Sequence, residues 1–337
     1  MAKNNNLHAA KNAKNDEFYT QLSDIEKELN NYKDFFNGKV VYCNCDDPRE
    51  SNFFKFFSMN FERFGLKKLI TTGYKKDGHG VAYVYEGDKN GNRKVDDNEI
   101  QVIQLQGNGG YETEECIAFL KEADVVVTNP PFSLFRDYVK QLMDYNKKFL
   151  ILGNNNAITY KEIFPYIKNN ELWLGFSANK TMKFQLSDSY EKWDEMDKNG
   201  KKYGKVPAIT WFTNIPHNKR NQPLDLYRKY NPTDYPKYDN YDAINVDKVT
   251  DIPEDYDGVM GVPITFLDKY CPNQFEIVGL GIANLGLEIG VRPYKPNHKQ
   301  YRKEVQKRGQ VDGDLYMVDE NDHPIVPYAR ILIRKCA

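Results

Sequence analysis

Up to about residue 215, apolar runs of strand length alternate with stretches whose large side chains recur at helical spacing. The first periodic stretch, Ser23–Tyr32, has a serine followed three residues later by Glu26, the capping-box start of a helix. Lys39–Cys45, "KVVYCNC", reads as a strand. Beyond it Phe53, Phe57, Phe61 and Phe64 recur at helical intervals before Gly65. "KKLITTGY", "GVAYVYE" and "EIQVIQLQ" read as strands, the last two joined by the hairpin turn "GDKNGNRKVDD". A helix is predicted from Glu112 to Glu122, then a strand at Ala123–Val127 with three consecutive valines, a helix at "FRDYVKQLMDY" and a strand at "KKFLILGNN". Such alternation predicts an α/β fold with a doubly wound, largely parallel sheet covered on both faces. "ELWLGFS", "MKFQLSD" and "PAITWFTNIP" are strand-like without long helices between them, and predict that the sheet finishes in an antiparallel edge.

The texture changes near Pro216. A stretch rich in Tyr, Pro, Asn and Asp shows little periodicity, and regular patterns return at "GVPITFLDKY", "QFEIVGLGI" and "YARILIRK". Three regions follow: a polar, flexible leader at 1–15, a main domain at 16–215 and a smaller region at 216–337.

Composition narrows the class. Mean hydropathy is -0.74 and no apolar run approaches a membrane span of ~20 residues, so no membrane partner is expected. The leader has lysines but no apolar core, unlike a secretory signal. The 5 cysteines are scattered, with Cys43-x-Cys45 the only close pair; reduced thiols in a cytoplasmic protein and no metal site are expected. No obligate protein partner is evident. A net charge of -1 gives no overall sign of a polyanionic partner, although a local basic face remains compatible with it.

The valine strand ends in Thr128-Asn129-Pro130-Pro131-Phe132. Two prolines stop a ladder, because neither has an N–H and each fixes its own φ. In an open α/β sheet, ligands gather beyond the carboxyl ends of the strands, where Asn129 falls. The Asn129 side-chain oxygen and the Pro130 carbonyl are two acceptors, Pro131 fixes the corner, and Phe132 offers a face for a planar ring. That set suits an exocyclic amine on a heteroaromatic ring. Accepting both its hydrogens frees the nitrogen lone pair, and those bonds strengthen as positive charge grows on nitrogen. A sulfonium methyl in line with the nitrogen would complete the chemistry. A capped strand followed by a turn is the plainer reading of the same four letters.

With "NDEFYTQLSDIEKEL", "VVYCNCDDPRESNF", "EADVVVTNPPFSLF", "NNNAITYKEIF", "TWFTN" and "MGVPITFLDKY", nearly the whole chain resembles the EcoRI-type adenine-specific DNA methyltransferases. The resemblance implies a Rossmann-like methyltransferase sheet with a C-terminal recognition region. It implies S-adenosyl-L-methionine as cofactor, double-stranded DNA as partner, and N6 of a flipped adenine as acceptor. A prokaryotic or phage-encoded cytoplasmic enzyme, of the kind found in restriction–modification, is implied as well. The alternatives are methylation of RNA or of protein glutamine, and an inactive DNA-binding relative.

By the same resemblance, Phe18, Tyr19 and Thr20 lie against the methionine end of the cofactor. Cys45, Asp46, Asp47 and Pro48 take the place of the first-strand glycine loop; no Gly-x-Gly occurs, and the two aspartates with Pro48 open the following helix, where capping is the other reading. Asn108 and Gly109, in "GNGG", stand where the cofactor adenine is expected, a plain loop being the alternative. Trp211 is the second aromatic for a flipped base, or a tryptophan packed in an edge strand. Lys219, Arg220 and Arg228 form one basic segment. Arg292, Lys295, Lys299, Arg302 and Lys303 belong to a second, opposed within it only by Glu304; both are read as phosphate contacts, a solvated face being the alternative.

Overall fold

The computed structural model describes residues 19–45, 47–186 and 193–336, which form two compact units. The first comprises the chain through Ala157 and Trp173–His217; the second comprises Ile158–Leu172 and Asn218–Ala337. The leader at 1–15 lies outside the described residues.

In the first unit β1 (Tyr19–Thr20) precedes α1 (Leu22–Leu29), whose N-cap is Gln21. Ser23 therefore sits inside the helix and makes no capping box. Next come β2 (Val40–Cys43), α2 (Asn52–Met59) and α3 (Phe61–Phe64). The Ser51 hydroxyl caps α2 by accepting from the Phe53 and Phe54 amides at 3.2 and 3.4 Å. The helix is thus opened by Ser51 and not, as the sequence suggested, by Asp47 and Pro48. Gly65, left-handed at φ 61, ends α3.

Strands β3 (Lys68–Gly73), β4 (Val81–Tyr85) and β5 (Ile100–Gln104) follow, then α4 (Glu114–Glu122), β6 (Val125–Thr128), α5 (Phe135–Asp144) and β7 (Lys148–Asn154). After α6 (Phe164–Lys168), which belongs to the second unit, come β8 (Trp173–Leu174), β9 (Met182–Leu186), β10 (Glu195–Met196), β11 (Lys202–Val206) and β12 (Ile209–Thr213).

The main sheet has eight strands in the order β5-β4-β3-β2-β6-β7-β12-β8. The four central strands are parallel, and antiparallel strands flank them on both sides. Every residue of β2 and β6 is buried, which is why the valine run carries no alternation. Rings from α2 and α3 pack beside it, Phe36 lying 5.3 Å from Phe57 and 5.7 Å from Phe64. The "MKFQL" segment is a departure from expectation. It does not extend the main sheet; as β9 it pairs with β1 and β11 in a separate four-stranded sheet.

In the second unit β13 (Ile244–Asn245), β14 (Met260–Pro263), β15 (Phe275–Gly281) and β18 (Arg330–Lys335) form a four-stranded sheet. The helices α7 (Ala283–Glu288) and α8 (Pro296–Glu304) and the pair β16 (Met317–Val318) and β17 (Pro324–Ile325) lie between β15 and β18 in the chain. Among the described residues no helix is long and apolar enough to cross a membrane.

Candidate active site

The neighbours of β2 set the site. From β2 the chain proceeds to β3 on one side of the sheet, while β6 and β7 lie on the other, so the strand order reverses between β2 and β6. A crevice beyond the carboxyl ends of strands at such a reversal is where open α/β sheets bind ligands. Two segments leave the sheet there: 44–48 after β2 and 129–132 after β6.

Asn129 directly follows β6 and is 8% exposed. The Pro131 carbonyl accepts the Leu134 amide at 2.9 Å, which starts a short 3-10 turn leading into α5. The Pro130 carbonyl, by contrast, accepts no backbone amide among the described residues. Phe132 is partly buried, its ring packed on the main core. The loop thus presents one prolyl carbonyl, one carboxamide and one anchored ring.

After β2, Cys45 takes φ 75, the left-handed conformation that glycine ordinarily supplies in a tight loop. Asp47 builds the next turn: its backbone carbonyl accepts the Glu50 and Ser51 amides. Its carboxylate accepts Arg49 Nε at 3.1 Å and Nη2 at 2.7 Å. The Arg49 guanidinium holds the Asp47 carboxyl below the usual carboxylate range, so it is ionised at neutral pH. Asp46, like Phe18, lies outside the described residues.

Two cavities adjoin this turn. One, of about 400 Å³, is lined by Asp47, Arg49, Gly73, Tyr74, Lys75 and His79. The other, of about 650 Å³, includes Tyr19, Pro48, Glu50, Ser51 and Asn52. The structure therefore brings Tyr19 and Pro48, far apart in sequence, to one cleft. Asn52 Nδ2 donates to the Thr20 carbonyl at 2.7 Å and fixes that approach. Asn129 lines neither cavity.

The 107–110 turn sits beside the end of β3, with the Lys75 amide donating to the Asn108 carbonyl at 2.8 Å and Gly80 to Gly107 at 2.9 Å. Gly109 has φ 77, and a Cβ there would lie 2.3 Å from the Gly73 carbonyl oxygen, so only glycine fits. Asn108 Oδ1 accepts the Gly110 amide at 2.9 Å. That oxygen is therefore engaged within its own turn.

Trp211 corrects the base-stacking expectation. It is 1% exposed and meets Phe53 edge-on at 6.1 Å in the main core, because the indole-bearing face of β12 points inward. A base cannot reach its ring.

The basic segments need a correction too. Lys219 forms a largely buried ion pair with Asp268, and Arg228 lies 3.6 Å from Asp251. Arg220 Nη2 donates to Asn170. Lys295 pairs with Asp239 at 2.8 Å and Lys299 with Asp312 at 2.7 Å. Arg292 donates to the Asp239 carbonyl, and Arg302 to the Gly309 carbonyl and the Gln306 side chain. The run looked unopposed because its acids come from elsewhere in the chain. Among the described residues Lys303 makes no ion pair.

Sequence reasoning missed Asn44, Thr128, Tyr138 and Tyr74. Asn44 and Thr128 adjoin the quoted motifs, and Tyr74 ends the third strand segment. Tyr138 lies on the apolar face of α5 and reads as core.

The family described as adenine-specific methyltransferase EcoRI matches residues 6–336. The chain is 49% identical over 310 residues to Type II methyltransferase M.EcoRI of Escherichia coli, covering 87% of this chain and 95% of that protein. It is 42% identical over 279 residues to Type II methyltransferase M.MgeORF184P of Mycoplasma genitalium, covering 81% and 85% of the two chains. With Type II methyltransferase M.MpnI of Mycoplasma pneumoniae it shares 43% identity over 279 residues, 81% of this chain and 84% of the relative.

Proposed function

The chain belongs to the family of EcoRI adenine-specific methyltransferases, and we propose that it methylates N6 of an adenine flipped out of duplex DNA, using S-adenosyl-L-methionine. The observation that carries this reading is the position of Asn129-Pro130-Pro131-Phe132 at the carboxyl end of β6, where the strand order reverses. The Asn129 side-chain oxygen and the Pro130 carbonyl accept the two amine hydrogens, and Phe132 supports the ring. As the amine attacks, positive charge grows on nitrogen and both bonds strengthen, so they favour the transition state.

The residues present fit the cofactor. Asp47 is an ionised carboxylate, which suits a sulfonium and an ammonium, and Tyr74 adds a half-exposed ring beside Gly73. The left-handed Cys45 supplies the sharp turn that a glycine loop would otherwise give. Tyr19, Thr20 and Pro48 would hold the methionine end, and the 107–110 turn the adenine end. When bound, the cofactor supplies an electrophilic methyl group. Asp47→Ala should weaken its binding, measured by calorimetry, without unfolding the chain; unchanged affinity would leave Asp47 a turn former.

Catalysis belongs to the first unit in this reading, and target recognition to the region from 216 onward. Most cations there are already paired, so their contribution to phosphate binding is smaller than their number implies. Lys303→Ala should lower the slope of log affinity against log salt by about 0.9, and Lys299→Ala by less, since Asp312 already compensates it. DNA titrations across a salt series decide this; no change for Lys303→Ala would make α8 a solvated face.

The direct test supplies the purified chain with the cofactor carrying a labelled methyl group and, in parallel, duplex DNA, RNA or a glutamine peptide. Label in N6-methyladenine of the duplex is expected. Label confined to RNA or peptide, or none at all, would overturn the reading.

A further inference from the structure

We propose that Asn44, Thr128 and Tyr138 form a positioning network that sets the Asn129 loop against the loop after β2. The proposal rests on the reading of Asn129 as an amine acceptor. The ladder between β2 and β6 ends at Tyr42↔Val126, whereas that between β6 and β7 continues to Thr128↔Ile151. At the crevice, Thr128 is therefore held by backbone pairing on one side only. On the other side its hydroxyl donates to the Asn44 carbonyl. The residue before Asn129 is thereby tied to the first residue after β2.

A second bond orients the side chain of the same asparagine. Tyr138, on α5, donates its hydroxyl to Asn44 Oδ1, and the Cys45 thiol lies 3.5 Å from that oxygen. The Tyr138 ring meets Tyr111 edge-on at 5.2 Å, and Gln141 Nε2 donates to the Tyr111 carbonyl at 3.1 Å. The network thus reaches all three segments that frame the proposed site: 44–48, 107–111 and 129–132.

All three residues are nearly inaccessible, with Thr128 at 0%, Tyr138 at 1% and Asn44 at 4% exposure. Removing the Thr128 or the Tyr138 hydroxyl takes a donor from a buried Asn44 oxygen, the main-chain carbonyl in one case and the carboxamide in the other. What the polar set adds is direction: each bond has one donor, one acceptor and a narrow range of angles. Methyl transfer needs that direction, because the acceptor nitrogen and the methyl group must be held in line by two different loops.

The variants remove single interactions. Thr128→Val keeps the shape and loses the hydroxyl; Tyr138→Phe loses one oxygen; Thr128→Ser restores a hydroxyl. Single-turnover methyl transfer should slow by about tenfold or more in Thr128→Val and Tyr138→Phe, since small misplacements at a reacting centre have large effects. Cofactor and DNA affinities should stay within about twofold, and Thr128→Ser should recover most of the rate. A purely structural role would not produce that split. Rates unchanged in Thr128→Val and Tyr138→Phe would overturn the proposal, as would rate losses matched by equal losses of cofactor affinity. If Thr128→Val does not fold, Tyr138→Phe decides alone. Asn129→Ala run alongside separates the two ideas: full activity there sinks the amine reading, whereas a dead Asn129→Ala beside normal Thr128→Val and Tyr138→Phe sinks only the network.

Discussion

Asn129→Ala is expected to slow methyl transfer by about 10²- to 10³-fold, the loss seen when one acceptor or donor is removed from a developing charge. Cofactor affinity should stay within about twofold, because Asn129 lines neither cavity beside the Asp47 turn. The residue is 8% exposed and directly follows Thr128, whose backbone is paired with β7, so the strand end keeps its place in the alanine variant. A chemical effect should therefore appear in the single-turnover rate and not in the melting temperature. Normal turnover would exclude Asn129 as an acceptor and leave Pro130 as the remaining candidate on this loop.

The second large effect concerns stability. Glu28 on α1 is fully buried, and its carboxylate accepts four bonds. They come from the Tyr32 hydroxyl at 2.9 Å, the Phe176 amide at 2.7 Å, the Ser177 amide at 2.8 Å and the Ser177 hydroxyl. Burial, helped by Glu28, pushes the Tyr32 hydroxyl far above its ordinary value and keeps it a donor. Gly175 makes room, since a Cβ there would lie 2.4 Å from Glu28 Oε1. Glu28→Ala leaves the Ser177 amide and the Tyr32 phenol without their acceptor, and leaves the Phe176 amide only the Tyr32 oxygen at 3.1 Å, at about 1–3 kcal/mol for each group that stays dry. A loss of about 3 kcal/mol or more is expected, read as a lower urea midpoint at unchanged slope. Glu28→Gln should lose less, because its amide oxygen still accepts. A loss below about 1 kcal/mol for Glu28→Ala would show that water replaces the carboxylate.

The parallel core was legible because burial on both faces leaves an unbroken apolar run, as in Val125–Val127. The place of the Asn129 loop was legible because two prolines must end the strand, which sets the loop at the carboxyl edge of the sheet. Pairing between distant segments was not. The alternation of Met182–Leu186 says that one face is buried, but not that its neighbours are β1 and β11. Charge was misread for the same reason: Asp239 and Asp312, which oppose Lys295 and Lys299, lie outside the basic run of α8. Trp211 shows a third limit, since a strand buried at every position does not reveal which side its largest ring faces. The Asn44 network was hidden because a buried tyrosine hydroxyl looks like core until its partner is seen.

The division of the chain has a consequence for transplanting specificity. Residues 158–172 cluster with the C-terminal unit although they lie between β7 and β8 of the first. Within the second unit, Lys168 Nζ donates to the Val278 carbonyl at 2.8 Å, so α6 is fastened to β15. A single cut near residue 216 would therefore not yield two whole modules. The N-terminal fragment would retain a segment whose partners had left, and the C-terminal fragment would lack one of its helices. If target recognition belongs to the second unit, as proposed, its exchange between relatives has to carry two stretches of sequence together, 158–172 and the part beyond His217. Hybrids joined only at the later boundary should express poorly whatever DNA sequence they were meant to read.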